Sequence, residues 1–100
     1  MSNTAIWRLD LYAQHCRLQV PPGAVILSVG EPPNAHIPSI WFAVDPSDPR
    51  RVTRKFILVR TGIPSLYLER LSLVGRTIFP TAPGQPLVEC HVFEVPQEVA

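Results

Sequence analysis

Apolar and polar residues alternate along much of the chain, and this alternation predicts β-strands. In segments 7–12 and 16–20 every second residue is apolar. Side chains two positions apart lie on the same face of a strand, so each segment is predicted to be a strand with one buried face. Five further apolar segments bounded by turn residues bring the predicted set to about seven strands: 24–29, 40–44, 52–61, 71–79 and 87–95.

Segments 24–29 and 40–44 are apolar almost without interruption. Such runs are typical of strands that are covered on both faces or that lie at a contact between subunits. Both interpretations stay open from the sequence. The runs 40–44 and 56–59 also offer more apolar area than one small core needs, and we therefore expect a homo-oligomer.

Twelve prolines and five glycines interrupt the chain and exclude long helices. One helical turn is possible over 64–70, where a proline can occupy the first turn. The residues of 45–49 are typical of a turn, which we expect to join two antiparallel strands. The sequence thus predicts a single all-β domain over 1–100. Its short, mostly antiparallel strands would form a barrel or a sandwich.

Hydrophobic residues make up 46% of the 100-residue chain and charged residues 17%, which is the reverse of the composition of disordered chains. A net charge of +1 gives no long-range attraction for nucleic acid or for an anionic membrane, so we expect neither as a partner. The N-terminal residues do not resemble an export signal, and no apolar run is long enough for a membrane span. We therefore expect a soluble intracellular protein with free thiols at Cys16 and Cys90.

Motifs for common chemistry are absent from the sequence. It contains no phosphate-binding loop, no dinucleotide fingerprint and no nucleophile elbow. Each cysteine is adjacent to a histidine, so within a regular strand the two side chains point to opposite faces and cannot chelate one ion. We expect no metal, no cofactor and no enzymatic activity. Glu89 and His91 share a strand face, which leaves open either an acid–base pair or a solvated cross-strand contact.

The most informative segment is the strand 52–60 with the loop that follows it. Arg54, Phe56, Leu58 and Arg60 share one face of this strand, and the loop begins with Thr61 and Gly62. Guanidinium groups bind phosphate or carboxylate in a bidentate manner and stack on flat rings, and a glycine loop can expose backbone N–H groups. The pattern predicts a small anion site, unless the arginines are only soluble charges at the strand ends.

Trp41 is another candidate for that site. It is either a core residue or a stacking platform for a flat ligand.

Five blocks occur in an order that resembles a family of small phage and prophage proteins: PPGAVILSV (21–29), IWFAVDP (40–46), TRKF (53–56), TGIP (61–64) and HVFE (91–94). The resemblance spans nearly the whole chain but carries no activity that can be named. The corresponding loop in that family commonly reads T-G-H-P, whereas this chain has Ile63 at the third position. The resemblance implies a setting in the bacterial host cytoplasm during infection. It also makes His91, which stands in the block HVFE, a candidate for the site. The predicted ligand-binding set is therefore Arg54, Arg60, Thr61, Gly62, His91 and Trp41.

Together these observations predict a non-enzymatic phage accessory protein that counters host defence by sequestering a small anionic, nucleotide-like signalling molecule. The alternative is a protein–protein interaction module that inhibits a host defence protein or serves on the virion. A hydrolase built on Glu89 and His91 is a third interpretation.

Overall fold

A computed structural model of the chain describes residues 3–32, 36–65 and 67–97. These residues form seven strands and one 3₁₀ turn, which confirms the predicted all-β class. The strands are β1 (Ala5–Asp10), β2 (His15–Val20), β3 (Val25–Gly30), β4 (Ser39–Val44), β5 (Val52–Arg60), β6 (Ser72–Pro80) and β7 (Leu87–Val95). The 3₁₀ turn covers Leu68–Arg70 at the end of the predicted helical segment, in which Leu66 lies outside the described residues.

The strands form two antiparallel sheets and, in the described part of the chain, no closed barrel. One sheet has three strands in the order β1-β4-β3, and the other has four in the order β2-β5-β7-β6. The turn at 45–49 is held by the Asp45 carboxylate, which accepts hydrogen bonds from the backbone N–H and the hydroxyl of Ser47. It connects β4 to β5 and therefore crosses between the sheets, so the two strands that it joins are not hydrogen-bonded to each other as in an antiparallel hairpin.

The core lies between the two sheets and is built by the alternation that the sequence shows. Phe42 of β4 and Phe56 of β5 meet edge to face, with ring centroids 6.2 Å apart. At one side β3 packs against β6 so closely that a Cβ at Gly75 would lie 2.5 Å from Cγ1 of Val29. The buried apolar residues are Leu11, Cys16, Leu18, Val20, Ile40, Phe42, Val44, Phe56, Leu58, Val59, Phe79, Cys90 and Val92.

Two of the three apolar runs that suggested a subunit contact, 40–44 and 56–59, lie mainly in the core of the monomer. Ile40, Phe42 and Val44 are 0–3% exposed, and Phe56 is 1% exposed. Only the alternate residues of β4, Trp41 and Ala43, are partly exposed, on the outer face of the three-stranded sheet. These two runs therefore supply no separate evidence for an oligomer, whereas in the third run, 24–29, Val25 and Leu27 are 58% and 50% exposed.

Cys16 and Cys90 are both buried and form no disulfide. Among the described residues, no helix is long and apolar enough to cross a membrane. In the same part of the chain, no three side chains of the types that bind metal ions come together as a potential site.

Candidate functional site

A cavity of about 570 Å³ opens at one end of the sandwich. Residues 11–14 of the β1–β2 connection, residues 36–38 before β4, and residues 58–60 and 63–65 at the end of β5 surround it, with side chains from the facing parts of β6 and β7. Two prolines, Pro38 and Pro64, are among the lining residues, and Pro64 belongs to the loop that follows β5. Thr81, in the connection between β6 and β7, also lines it, so four connections that are far apart in sequence meet at this end of the two sheets.

The floor of the cavity is apolar and closely packed. Leu11, Leu58, Phe79 and Cys90 line it and are only 2–8% exposed. Burial raises the pKa of the Cys90 thiol, and the nearby charge of Arg60 lowers it by less. The thiol is therefore protonated at neutral pH and contributes to the floor as a small apolar group.

Polar side chains stand around the mouth. Tyr12, Gln14, His36 and Arg60 are all exposed. Arg60 forms no ion pair with the described residues, and no carboxylate is present among the described residues that line the cavity. In the part of the chain that the structure describes, the mouth thus carries one permanent positive charge without a neutralising partner, which favours an anion over a cation.

The loop after β5 is a closed turn and not an open row of backbone donors. The N–H of Ile63 donates to the carbonyl oxygen of Arg60 at 3.1 Å, and Gly62 has φ +88°, the left-handed conformation that favours glycine. The N–H of Thr61 donates to the carbonyl oxygen of Glu89 at 2.9 Å. Two of the backbone donors expected to face a ligand are therefore already bonded. Ile63 itself is 56% exposed and lines the cavity.

Arg54 lies elsewhere and has a different role. Its Nε and Nη2 donate to the two carboxylate oxygens of Glu94 at 2.6 and 2.7 Å, and its Nη1 donates to the carbonyl oxygen of Ala24 at 2.6 Å. The guanidinium carbon lies 5.5 Å from the ring centroid of Phe42 in the opposite sheet. Arg54 is thus an internal bridge between the sheets.

The two arginines of β5 do not converge. They share a face, but they are six positions apart along the strand, which corresponds to roughly 20 Å. The paired guanidinium site predicted from the sequence is therefore not formed within one chain, and Arg60 alone faces the cavity.

His91 and Glu89 share the outer face of the four-stranded sheet, away from the cavity lining. His91 lies opposite Val59 on one side and opposite Arg76 on the other. The Glu89 carboxylate accepts a hydrogen bond from the Thr61 hydroxyl at 2.8 Å and contacts the Arg76 guanidinium at 3.4 Å. This pair forms a surface polar network with the loop and β6.

Trp41 lies on the outer face of the other sheet, next to Gly30. Of the six predicted residues, the structure brings only Arg60 to the cavity, with Thr61 and Gly62 forming the turn beside it. The lining residues that sequence reasoning missed include Tyr12, Gln14 and His36. Their only sequence signal is a polar or aromatic character in the connections before β2 and β4.

Fold and site together define a small β-sandwich with an apolar, singly charged cavity at one end. Residues 2–100 match a domain of unknown function, DUF7352, and the chain belongs to this family. Neither a curated protein nor a solved structure matches the chain.

Proposed function

We propose that this protein is a non-enzymatic binding protein that sequesters a small anionic, nucleotide-like molecule in the cavity at the end of the sandwich. The observation that carries the proposal is the isolated charge of Arg60 above an apolar floor. Such a site combines one group for a phosphate with a surface for a flat, less polar moiety. Mostly apolar cavities with a few placed polar groups are the usual form of small-molecule sites.

The dimensions of the cavity support this ligand class. Its volume of about 570 Å³ lies within the range of small-molecule sites, which is roughly 300–1,000 Å³. Tyr12 and Ile63 stand at the mouth with 61% and 56% of their surfaces exposed. A nucleobase between them would cover both side chains while its phosphate reached Arg60.

In the setting that the resemblance to phage proteins implies, the bacterial host cytoplasm, such binding would lower the free concentration of a defence signal. Sequestration needs no catalytic group and no cofactor. It requires only that the ligand leave the protein chemically unchanged.

The test is titration with adenine and guanine mononucleotides and with the corresponding uncharged nucleosides, followed by native mass spectrometry and calorimetry. We expect the nucleotides to bind more tightly than the nucleosides. Arg60→Gln should weaken nucleotide binding about 10- to 100-fold, because a hydrogen bond to a charged group contributes about 1.5–3 kcal/mol. The mass of the released nucleotide should be unchanged.

Arg51→Gln is the matched control, because it removes the same charge at the opposite end of β5, roughly 30 Å from Arg60. Nucleotide binding should be unchanged in this variant. If nucleotides bind no better than nucleosides, or if both variants lose binding equally, the cavity is not the anion site. A converted nucleotide would instead support the hydrolase interpretation.

A second candidate function is docking to another protein, and a specific surface favours it. On the outer face of the three-stranded sheet Ile6 is 66% exposed, Val25 58% and Leu27 50%, beside the partly exposed Trp41. Clustered exposed apolar side chains commonly mark interaction surfaces. Under this alternative, Leu27→Asp should abolish retention of a host partner while Arg60→Gln leaves it intact.

A further inference from the structure

The described residues form four edge strands, and their edges are not alike. β1 and β3 border the three-stranded sheet, and β2 and β6 border the four-stranded sheet. An open edge presents unpaired backbone groups to any other strand, and proteins protect such edges with bulges, prolines or covering groups. An edge that is left open is therefore the place where a strand of another chain can pair with the sheet.

Two of the edges are interrupted by an extra residue. The register of β3 shifts between Ile26 and Ser28, and that of β6 shifts between Leu73 and Gly75. β6 also ends in Pro80, which has no N–H to donate. A bulge twists the strand and breaks the regular row of hydrogen-bonding groups. These two edges are poorly suited to pairing.

The edge of β2 is covered by a side chain. The N–H of Arg17 donates to the Tyr12 hydroxyl at 3.3 Å, and the same hydroxyl donates to the carbonyl oxygen of Arg17 at 3.4 Å. The exposed side chains of β2 include His15 and Arg17 but no acidic residue. Pairing β2 with itself would therefore displace Tyr12 and place basic groups opposite one another.

Among the described residues, β1 has none of these protections. It pairs with β4 in an unbroken register from Ala5 to Asp10 and contains no proline or lysine. The N–H of Leu11 donates to the carbonyl oxygen of Pro38 at 2.8 Å. The backbone N–H and C=O groups of every second residue in a strand face the same neighbour, so those of Leu9 face β4 like those of Leu11. The backbone groups of Arg8 and Asp10, which lie between, face away from the sheet.

We propose that β1 pairs antiparallel with β1 of a second copy of this chain, about a twofold axis at Leu9, to give a continuous six-stranded sheet. In this register Arg8 lies opposite Asp10 of the second copy, and Asp10 lies opposite its Arg8. Both residues have outward-facing backbone groups, so each pair exchanges two backbone hydrogen bonds and also forms an ion pair.

Charge selects this register over its neighbours. An axis at Arg8 would place two arginines opposite each other, and an axis at Asp10 would place two aspartates opposite each other. The Arg8 and Asp10 side chains are 53% and 54% exposed, and their own contact within the strand is long, at 3.9 Å. Both charges are therefore available to a second copy. A twofold contact that uses the same strand from each chain closes on itself and forms a dimer.

Charge reversal tests the register directly. Sedimentation and native mass spectrometry should show the wild-type chain at twice its mass of 11.2 kDa. Arg8→Asp and Asp10→Arg should each weaken the homodimer about tenfold or more, because each turns two attractive pairs into two repulsive ones. An equimolar mixture of the two variants should form a heterodimer, since every facing pair is then opposite in charge. The double variant should again form a homodimer.

Arg17→Asp on the edge of β2 is the matched control and should leave the dimer unchanged. As a second measurement, Leu9→Cys should form an intermolecular disulfide on oxidation, because two strands facing at a non-hydrogen-bonded pair hold their Cα atoms about 4.5 Å apart. Ile6→Cys does not face itself in this register and should cross-link much less.

A wild-type chain that stays monomeric at tens of micromolar overturns the proposal. So does a dimer that neither reversal weakens, or a mixture of correctly folded single variants that does not form the heterodimer. Melting curves of the variants identify any loss of fold. This matters for Asp10→Arg, which also loses the hydrogen bond from the Ser39 hydroxyl to the Asp10 carboxylate.

Discussion

Replacing Arg54 by methionine tests whether this residue holds the two sheets together or binds a ligand. Its guanidinium makes three hydrogen bonds of 2.6–2.7 Å, two to Glu94 and one to the carbonyl oxygen of Ala24. It also lies 5.5 and 6.0 Å from the ring centroids of Phe42 and Phe56. Methionine retains the apolar stem but leaves the carboxylate and the carbonyl without their donor.

The expected cost follows from the burial of the pair. Removing one partner of a fully buried ion pair costs about 3–5 kcal/mol, because the other charge stays desolvated. Arg54 and Glu94 are each 18% exposed, so water relieves part of this penalty. We expect a loss of about 2–4 kcal/mol in the free energy of unfolding. For a chain of this length that loss lowers Tm by about 10–20 °C.

Urea unfolding measures this loss. The slope of the unfolding free energy against urea concentration should be the same for the wild type and the variant. The double variant Arg54→Met with Glu94→Leu should recover part of the stability, because no charge is then left unpaired. Arg51→Met is the control: this exposed arginine lies 5.2 Å above the Trp7 ring, so its loss should cost about 1 kcal/mol or less. A loss of under about 0.5 kcal/mol for Arg54→Met, together with lost nucleotide binding, would refute the bridging role.

Three further perturbations follow from local geometry. Gly75→Ala should destabilise the fold by about 1–3 kcal/mol in urea unfolding, because the added methyl would collide with Val29; an unchanged midpoint would contradict this packing. In Gly62→Ala the added methyl meets no atom within 4 Å, but alanine is placed at φ +88°. We therefore expect a loss of about 1–2 kcal/mol in the free energy of unfolding, and an unchanged stability would contradict this turn conformation. The side-chain hydrogen bond from Arg50 lowers the pKa of Asp48 to about 2. The stabilisation from the ionised Asp48 is therefore complete above the pKa of the unfolded chain, near 3.9, and is lost as the pH falls through about 2. Carboxyl NMR should show this low titration, and Arg50→Gln should move it upward.

The strands could be predicted from the sequence because each strand has its own local pattern of apolar and turn residues. Alternation in β1 and β2, and turn residues around β3 and β4, are local signals that do not depend on the rest of the chain. The grouping of strands into sheets is not local. The turn at 45–49 has good turn residues whether it joins paired strands or crosses between sheets, so its sequence could not reveal that β4 and β5 belong to different layers.

The role of Arg54 shows what a closer use of alternation could have found. Arg54 shares its face with Phe56, and Glu94 shares its face with Val92, so both charges are on faces that also carry core residues. A buried arginine and a buried glutamate need each other, because either one alone would be very costly. The sequence therefore contained the signal for an internal ion pair. The missing information was that β5 and β7 are neighbours.

The cavity could not be found in this way, because no single segment builds it. Leu11 and Tyr12 follow β1, and His36 precedes β4. All three are far from Arg60 in the sequence. Their meeting depends on the order of strands in two sheets. The glycine loop did point to the correct end of the molecule, but for a different reason from the one expected. Gly62 serves the turn that positions Arg60 and Ile63 rather than offering donors to an anion.

One face of β5 produces two electrostatic environments, and the difference lies in the partner strand. In the middle of the sandwich Glu94 neutralises Arg54, so this charge stabilises packing and attracts nothing from solution. At the end of the strand the nearest acidic residue of β7, Glu89, points to the outer face, where Thr61 and Arg76 engage its carboxylate. Arg60 is left without that partner at the mouth of an apolar cavity. A molecule of nearly zero net charge can thus hold a local site for an anion, because one glutamate faces inward and the other faces outward.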